Sequence, residues 1–483
     1  MRILFVTSEA HPLIKTGGLA DVSGSLPAAL SHLGADVRIL IPGYTAVVEK
    51  LKNCQTVSTI GPLPFVANVT LVMGEMPDTG VPVMAIRCAS LYERAGGPYV
   101  DVSGRDWEDN PLRFGILSRV AAILSAADSP LADWIPDITH CNDWQSGLAP
   151  TFMHYMRAKH AKSVLGIHNL AFQGNYPAEW VARLGLPPES FDIHGVEYHD
   201  QLSFLKAGIY YSDSLTTVSP TYAREIQTPA YGFGMEGLLQ DRGHEIHGIL
   251  NGIEMQEWNP ATDPHLAKNY DAENLAGKKA VKKSLQTKLG LALEPSAPLL
   301  GVVSRLTQQK GLDMFLAVAE PLLAQGCQIA VLGSGEVLLE NGFKQLAQQY
   351  PQQVGVTIGY NEPLSHQIMA GVDIFIMPSR FEPCGLNQMY GLRYGTPPVV
   401  TNTGGLADSV TDSHAISLQD GSATGFVMEA PSAQQLLTSV QRALFYYRDA
   451  KTWRKIQRNG MHSDLSWDHS ASAYMNLYSQ LVA

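Results

Sequence analysis

The sequence predicts an α/β fold of two domains, each built on a parallel sheet, and three observations carry that expectation. Short β-branched runs alternate with helical patterns along most of the chain, the signature of βαβ units. The alternation stops across 250–296, a polar stretch rich in Asn, Pro and Lys without a strand pattern, and restarts at Leu299. The 483 residues are too many for one core, since domains usually run to about 100–250 residues.

In the first half, Ile3–Thr7, Val37–Ile41, Val83–Arg87, Ile138–His140, Val164–Ile167 and Leu215–Val218 read as strands. Between the first two, Leu19, Val22, Leu26, Ala29, Leu30 and Leu33 recur at helical spacing. The second half offers Leu299–Ser304, Gln328–Leu332, Val354–Ile358, Ile374–Met377 and Pro398–Thr401 as strands. Trp467, Ala471, Tyr474 and Leu477 mark a terminal helix. The boundary is expected near 248–252, which makes 1–248 the first domain and 249–461 the second.

Hydrophobic residues make up 45% of the chain, as in ordinary globular proteins. The net charge of −11, with acidic and basic residues interspersed, offers no stripe for a nucleic-acid backbone. A polymeric partner would be neutral rather than anionic. Five cysteines are scattered and unpaired in spacing, which fits a reducing compartment. No apolar run reaches the ~18–20 residues of a membrane span, and the opening Met1-Arg2 leads directly into a strand-like run without a leader pattern. A cytoplasmic protein without membrane contact is expected.

Ligands of open α/β sheets bind beyond the carboxyl ends of the strands, and the conspicuous polar residues fall there. Ser8-Glu9 and Lys15, Asn142-Asp143 and His168-Asn169 follow strands of the first half. Arg305 and Lys310, Gly333-Ser334-Gly335, Tyr360, Ser379-Arg380-Phe381-Glu382 and Thr403-Gly404-Gly405 follow those of the second. Arg305, Lys310 and the Gly404-Gly405 turn suit a diphosphate: two full positive charges, and glycines that free backbone N–H groups before a helix. Any one of these cations alone reads as a solvated surface charge; it is the three features together, on strand ends of one sheet, that point to a phosphate site.

Other chemistries fit less well. A dinucleotide turn would need a third glycine where Leu338 stands. There is no Asp-x-Asp and no His-Glu-x-x-His, His244/His247 alone is weak, and no nucleophile motif is recognisable. No metal and no cofactor is expected. A cationic anion site fits sugar-nucleotide transfer, in which Arg and Lys stabilise the departing diphosphate. Thr16-Gly17-Gly18-Leu19-Ala20-Asp21 recurs as Thr403-Gly404-Gly405-Leu406-Ala407-Asp408, each copy before a helical pattern. They are related rims or independent glycine-rich helix starts.

Lys15-Thr16-Gly17-Gly18-Leu19-Ala20-Asp21-Val22 resembles the N-terminal signature of bacterial glycogen synthases and plant starch synthases. So do Asn142-Asp143-Trp144 with Gly147-Leu148-Ala149-Pro150, His168-Asn169-Leu170 with Gln173-Gly174, and Leu250-Asn251-Gly252-Ile253. Ser304-Arg305-Leu306 with Lys310-Gly311, and Pro378-Ser379-Arg380-Phe381-Glu382-Pro383-Cys384-Gly385-Leu386, complete the set. The motifs occur in family order along essentially the whole chain.

The resemblance implies the GT-B fold: two Rossmann-like domains facing across a deep cleft, with 462–483 crossing back to the first. It implies retaining transfer of glucose from ADP-glucose to the non-reducing 4-hydroxyl of an α-1,4-glucan. The alternatives are a starch synthase-like enzyme and a catalytically silent glucan- or nucleotide-binding homologue. By matching position, Arg305 and Lys310 look like the diphosphate clamp, with the Thr403–Gly405 backbone beside it. Lys15 and Gly18 look like donor contacts from the first domain, and Tyr360 like the adenine platform. His168, Asn251 and Glu382 are similar to residues around the transferred glucose, Cys384-Gly385-Leu386 to the donor loop, and Asp143 to a residue lining the acceptor side. Asp143 could instead cap the helix near Trp144, His168 could be a buried core histidine, and Tyr360 and Cys384 could serve packing alone. Two departures stand out: Tyr390 where wider relatives carry a second Glu, and Asn387 where many carry Thr.

Overall fold

A computed structural model describes residues 1–483. Its contacts divide the chain into two units: Met1–Gly252 with Trp467–Ala483, and Ile253–Ser466. No helix is long and apolar enough to cross a membrane.

The first unit is built on a nine-stranded sheet. Its order is Ile246–Gly248, Ser214–Thr217, Lys162–Ile167, Ile138–Asn142, Arg2–Val6, Asp36–Pro42, Pro82–Arg87, Val69–Glu75, Lys52–Ile60. The first seven pair in parallel, and the last two join antiparallel. The expected parallel sheet thus forms the seven-stranded centre, and an antiparallel pair extends one edge. Lys52–Ile60 is an edge strand exposed over most of its length, so it carries little of the apolar signal that marks the central strands.

Successive side chains of a strand point to opposite faces. Ile3 and Phe5 thus share one face, where they pack with Val22, Leu26 and Leu30 of the helix Gly18–His32. Trp467, Ala471, Tyr474 and Tyr478 of the last helix, Trp467–Val482, enter the same core. Tyr478 Oη lies 2.7 Å from His140 Nδ1, and Ser470 Oγ donates to the Leu250 carbonyl. The last helix is thus part of the first unit's core.

The second unit has a six-stranded, wholly parallel sheet, ordered Val354–Ile358, Gln328–Gly333, Leu299–Val303, Ile374–Met377, Pro398–Thr401, Phe426–Met428. Both faces are covered, which explains the nearly continuous apolar strands. Leu300, Val302, Ile329 and Val331 meet helices Leu312–Leu323, Val337–Gln349 and Ala433–Tyr447 on one side. Leu299, Ala330 and Leu332 meet Ala276–Lys288 and Glu362–Gly371 on the other. In both sheets the strand order reverses beside the first strand, between Arg2–Val6 and Ile138–Asn142 and between Leu299–Val303 and Ile374–Met377. Such switch points open a crevice at the carboxyl ends.

Candidate active site

At the first unit's switch point, the chain leaves Arg2–Val6 and turns so that Glu9 is buried. Glu9 Oε2 accepts the N–H groups of Thr16 (2.5 Å) and Gly17 (3.1 Å), and Tyr99 Oη donates to Oε1 at 2.7 Å. Burial raises the Glu9 carboxyl above its ordinary value, against the pull of these hydrogen bonds. Glu9 therefore fixes the exposed loop that carries Lys15 and leads into Gly18, the first residue of its helix. Lys15 Nζ pairs with Asp21 at 2.7 Å.

Asp143 follows the neighbouring strand with φ 55°, an unusual conformation for a residue with a side chain. Its carboxylate makes no helix cap. Oδ1 instead accepts the N–H of His168 at 2.8 Å and of Asn169 at 3.3 Å, which joins two strand ends. Burial pushes the Asp143 carboxyl up to about 7, helped by the charge of Glu9 and opposed by the two N–H groups. His168 Nε2 lies 2.9 Å from Asn142 Oδ1. Asn142 Nδ2 donates to the Val6 carbonyl at 3.0 Å, so Oδ1 is the accepting atom and Nε2 carries the hydrogen. The half-buried imidazole is thus neutral with Nδ1 as an acceptor, and burial lowers its pKa to about 4. Asn251 is buried, and its Oδ1 has no hydrogen-bond partner.

The second unit's switch point gathers the other residues. Gly311, at φ +70°, lets its loop approach so closely that a Cβ would stand 2.1 Å from the Pro378 carbonyl oxygen. That approach brings Lys310 Nζ to 2.5 Å from Glu382 Oε2. Ser379 Oγ donates to the same oxygen at 2.9 Å, while Oε1 accepts no hydrogen bond from the chain. Arg305, expected beside Lys310 at the diphosphate, is exposed and has no ion-pair partner. Gly404, at φ +42°, and Gly405 press against the Glu382 and Cys384 carbonyls: an added Cβ would lie 2.0 and 2.1 Å from those oxygens. The Gly405 N–H bonds to the Glu382 and Pro383 carbonyls, so this turn braces the loop of Glu382, Cys384, Gly385 and Leu386. Thr403 and Cys384 are buried there. Tyr360 stands 79% exposed, its hydroxyl donating to Glu362 at 2.6 Å.

The repeated hexapeptide has two different physical bases. Around Gly17 and Gly18 an added Cβ would meet nothing within 4 Å, whereas Gly404 and Gly405 admit no side chain. Both departures are absorbed by the structure. Asn387 Nδ2 donates to the Val303 carbonyl at 2.6 Å, and Tyr390 is buried against Trp258, ring centroids 3.8 Å apart. Sequence reasoning gave no role to Glu9, Tyr99, Asn142 or Ser379. Glu9, Asn142 and Ser379 carried the signal of lying at strand ends, and Tyr99 carried none.

A family model described as the starch synthase catalytic domain matches residues 2–241, and one for glycosyl transferases group 1 matches 289–460. The chain is 52% identical to a glycogen synthase of Nitrosomonas eutropha, over 100% of this chain and 96% of the relative. The chain belongs to the glycogen synthase family. A glycogen synthase of Nitrosospira multiformis is 51% identical, with 99% and 97% covered. Among solved structures, the catalytic domain of starch synthase IV from Arabidopsis thaliana, bound to ADP and acarbose, superposes with a TM-score of 0.89 at 31% identity, covering 99% of each chain. A sucrose-phosphate synthase from Thermosynechococcus elongatus, at 16% identity and a TM-score of 0.59, shares the fold alone. The fold is GT-B, and membership of the glycogen synthase family makes this chain a hexosyltransferase of the retaining class that acts on a nucleotide-sugar donor and a glucan acceptor.

Proposed function

We propose that the donor is ADP-glucose and that glucose passes to the non-reducing 4-hydroxyl of an α-1,4-glucan. The observation that carries this reading is the cluster at the second unit's switch point: Lys310 on Glu382, Arg305 unpaired, and the Gly404-Gly405 turn behind them. The Arabidopsis relative bound to ADP and acarbose supports a purine diphosphate and a glucan-like acceptor. Tyr360 offers an exposed ring for the adenine.

In this scheme the diphosphate is drawn to Arg305 and Lys310. The bond from glucose C1 to the diphosphate oxygen breaks as the acceptor oxygen bonds to C1 on the same face. The acceptor's proton passes to the departing oxygen, and the cations take up its charge. Glu382 Oε1 holds glucose hydroxyls and supports the oxocarbenium-like charge, together with neutral His168 and Asn251. Asp143 lines the acceptor side, and Lys15 and Gly18 contact the donor. Double displacement would need a carboxylate nucleophile on the opposite face, a role to which we assign no residue.

Incubation with ADP-glucose and with UDP-glucose separately, each with a glucan primer, tests the proposal by release of nucleoside diphosphate. Release and chain extension with ADP-glucose are expected. Absence of both with either donor would favour the silent-homologue reading.

A further inference from the structure

A second cluster of ligating atoms lies in the second unit. Glu362 opens the helix Glu362–Gly371, and His366 follows one turn later on the same side. One ligating atom each from Glu257, Glu362 and His366 lie within 4.8 Å of one another. Trp258, next to Glu257 in the chain, is sandwiched between His366 and Tyr390, with centroids 3.9 and 3.8 Å apart and planes at 10°. The stack fixes the plane of the imidazole and holds Glu257 beside it.

The ring is also fixed in its tautomer. Asp263 Oδ2 lies 2.8 Å from His366 Nδ1 and 2.5 Å from Tyr394 Oη. An ionised carboxylate only accepts, so Nδ1 bears the hydrogen and Nε2 keeps its lone pair. His366 is 2% exposed, and its hydrogen bonds to Asp263 and Tyr394 are both made through Nδ1. A buried carboxylate orienting one ring nitrogen so that the other can ligate is the arrangement that supports metal-bound histidines.

We propose that Glu257, Glu362 and His366 form a site for a divalent cation of the zinc class. One imidazole and two carboxylates suit zinc, whereas magnesium favours oxygen ligands and retained water. Tetrahedral ligands about 2.0–2.2 Å from zinc are roughly 3.4 Å apart, so the cluster must contract slightly. Glu257 stands on the exposed side of the cluster. The cation would pin the segment of Glu257, Trp258 and Asp263 to the start of the helix Glu362–Gly371. The inference uses none of the residues assigned to the transferred sugar or the diphosphate.

The test is calorimetric titration of Zn²⁺ into the full-length, chelator-stripped protein. Because Cys54 is an exposed thiol and Cys88 a partly exposed one, all variants carry Cys54→Ser and Cys88→Ser. One Zn²⁺ per chain is expected, with affinity falling about 10–100-fold or more in Glu257→Gln and in Glu362→Gln. Zn²⁺ should also raise the Tm of the parent but not of Glu257→Gln. Since substituting buried His366 could unfold the chain, exposed Glu257 is the deciding position. No binding tighter than about 1 mM, or unchanged binding in both Gln variants, overturns the site.

Discussion

Lys310 and Glu382 are bound to each other in the second unit, Nζ to Oε2 at 2.5 Å, with side chains 16% and 7% exposed. A diphosphate arriving beside Arg305 would compete with Glu382 for the ammonium. The consequences of losing the two cations therefore differ. Lys310→Ala strands a buried carboxylate, which destabilises by about 3–5 kcal/mol, whereas Arg305→Ala removes an exposed, unpaired group with little effect on folding. Both should lower kcat by roughly 10²–10³, the scale for losing a preorganised charge partner of the leaving group. Steady-state kinetics with denaturant unfolding separates the effects; near-normal kcat in both variants would move the phosphate site elsewhere.

Donor choice should favour ADP-glucose strongly over UDP-glucose. Tyr360→Ala should raise the KM for ADP-glucose far more than it lowers kcat, because the ring contributes binding rather than chemistry. Equal kcat/KM for the two donors would contradict the purine platform.

The pH dependence of stability should reflect two opposed groups. Asp143 rises from an ordinary 3.8 to about 7, so the folded state holds a proton that the unfolded chain releases. Its contribution is favourable at low pH and is lost as pH rises between about 4 and 7. His168 falls from 6.5 to about 4, so its contribution has the opposite sign and grows as pH rises across that interval. Asp143→Asn should make stability climb more steeply between about pH 4 and 6.5, and His168→Gln should flatten or reverse the climb. Thermal melts of the three proteins at several pH values check the signs; parallel curves would show that neither group titrates differently on folding.

The two copies of the repeated hexapeptide should respond unequally to alanine. Gly17→Ala enters open space and should leave the Tm nearly unchanged. Gly404→Ala meets the Glu382 carbonyl at 2.0 Å from a positive φ and should lower the Tm by several degrees, in line with strain and overpacking of about 1–3 kcal/mol. Equal melting shifts would contradict the close approach.

Turnover should survive excess EDTA, since Arg305 and Lys310 supply the charge that a metal would bring to the diphosphate. Activity lost to EDTA and restored by Mg²⁺ or Mn²⁺ would place a metal in the reaction.

The fold was legible where burial imposes a pattern. Val354–Ile358 and Ile374–Met377 end where their apolar runs end. The helix Asn110–Ser125 left no period to read because it is buried on nearly every side. The motif residues could be placed on strand ends, but their partners could not. Tyr99 reaches Glu9 from 90 residues away and Lys310 reaches Glu382 from 72, distances over which no sequence spacing speaks. Nor does a sequence distinguish a glycine that admits a side chain, as at Gly17, from one that does not, as at Gly404.

The helix Trp467–Val482 makes the first unit late as well as early in synthesis. Ile3 and Phe5 are made before the second unit, yet the partners Trp467, Tyr474 and Tyr478 that complete their core are made after all of it. At about 5–20 residues per second, the ~200 residues of the second unit alone take on the order of ten seconds or more. Throughout that interval one face of the first sheet lacks its final cover, and the nascent chain presents an apolar surface to chaperones and to neighbouring chains. A stop codon just before Trp467 would leave every motif residue in place and yet yield a chain unable to close its first core.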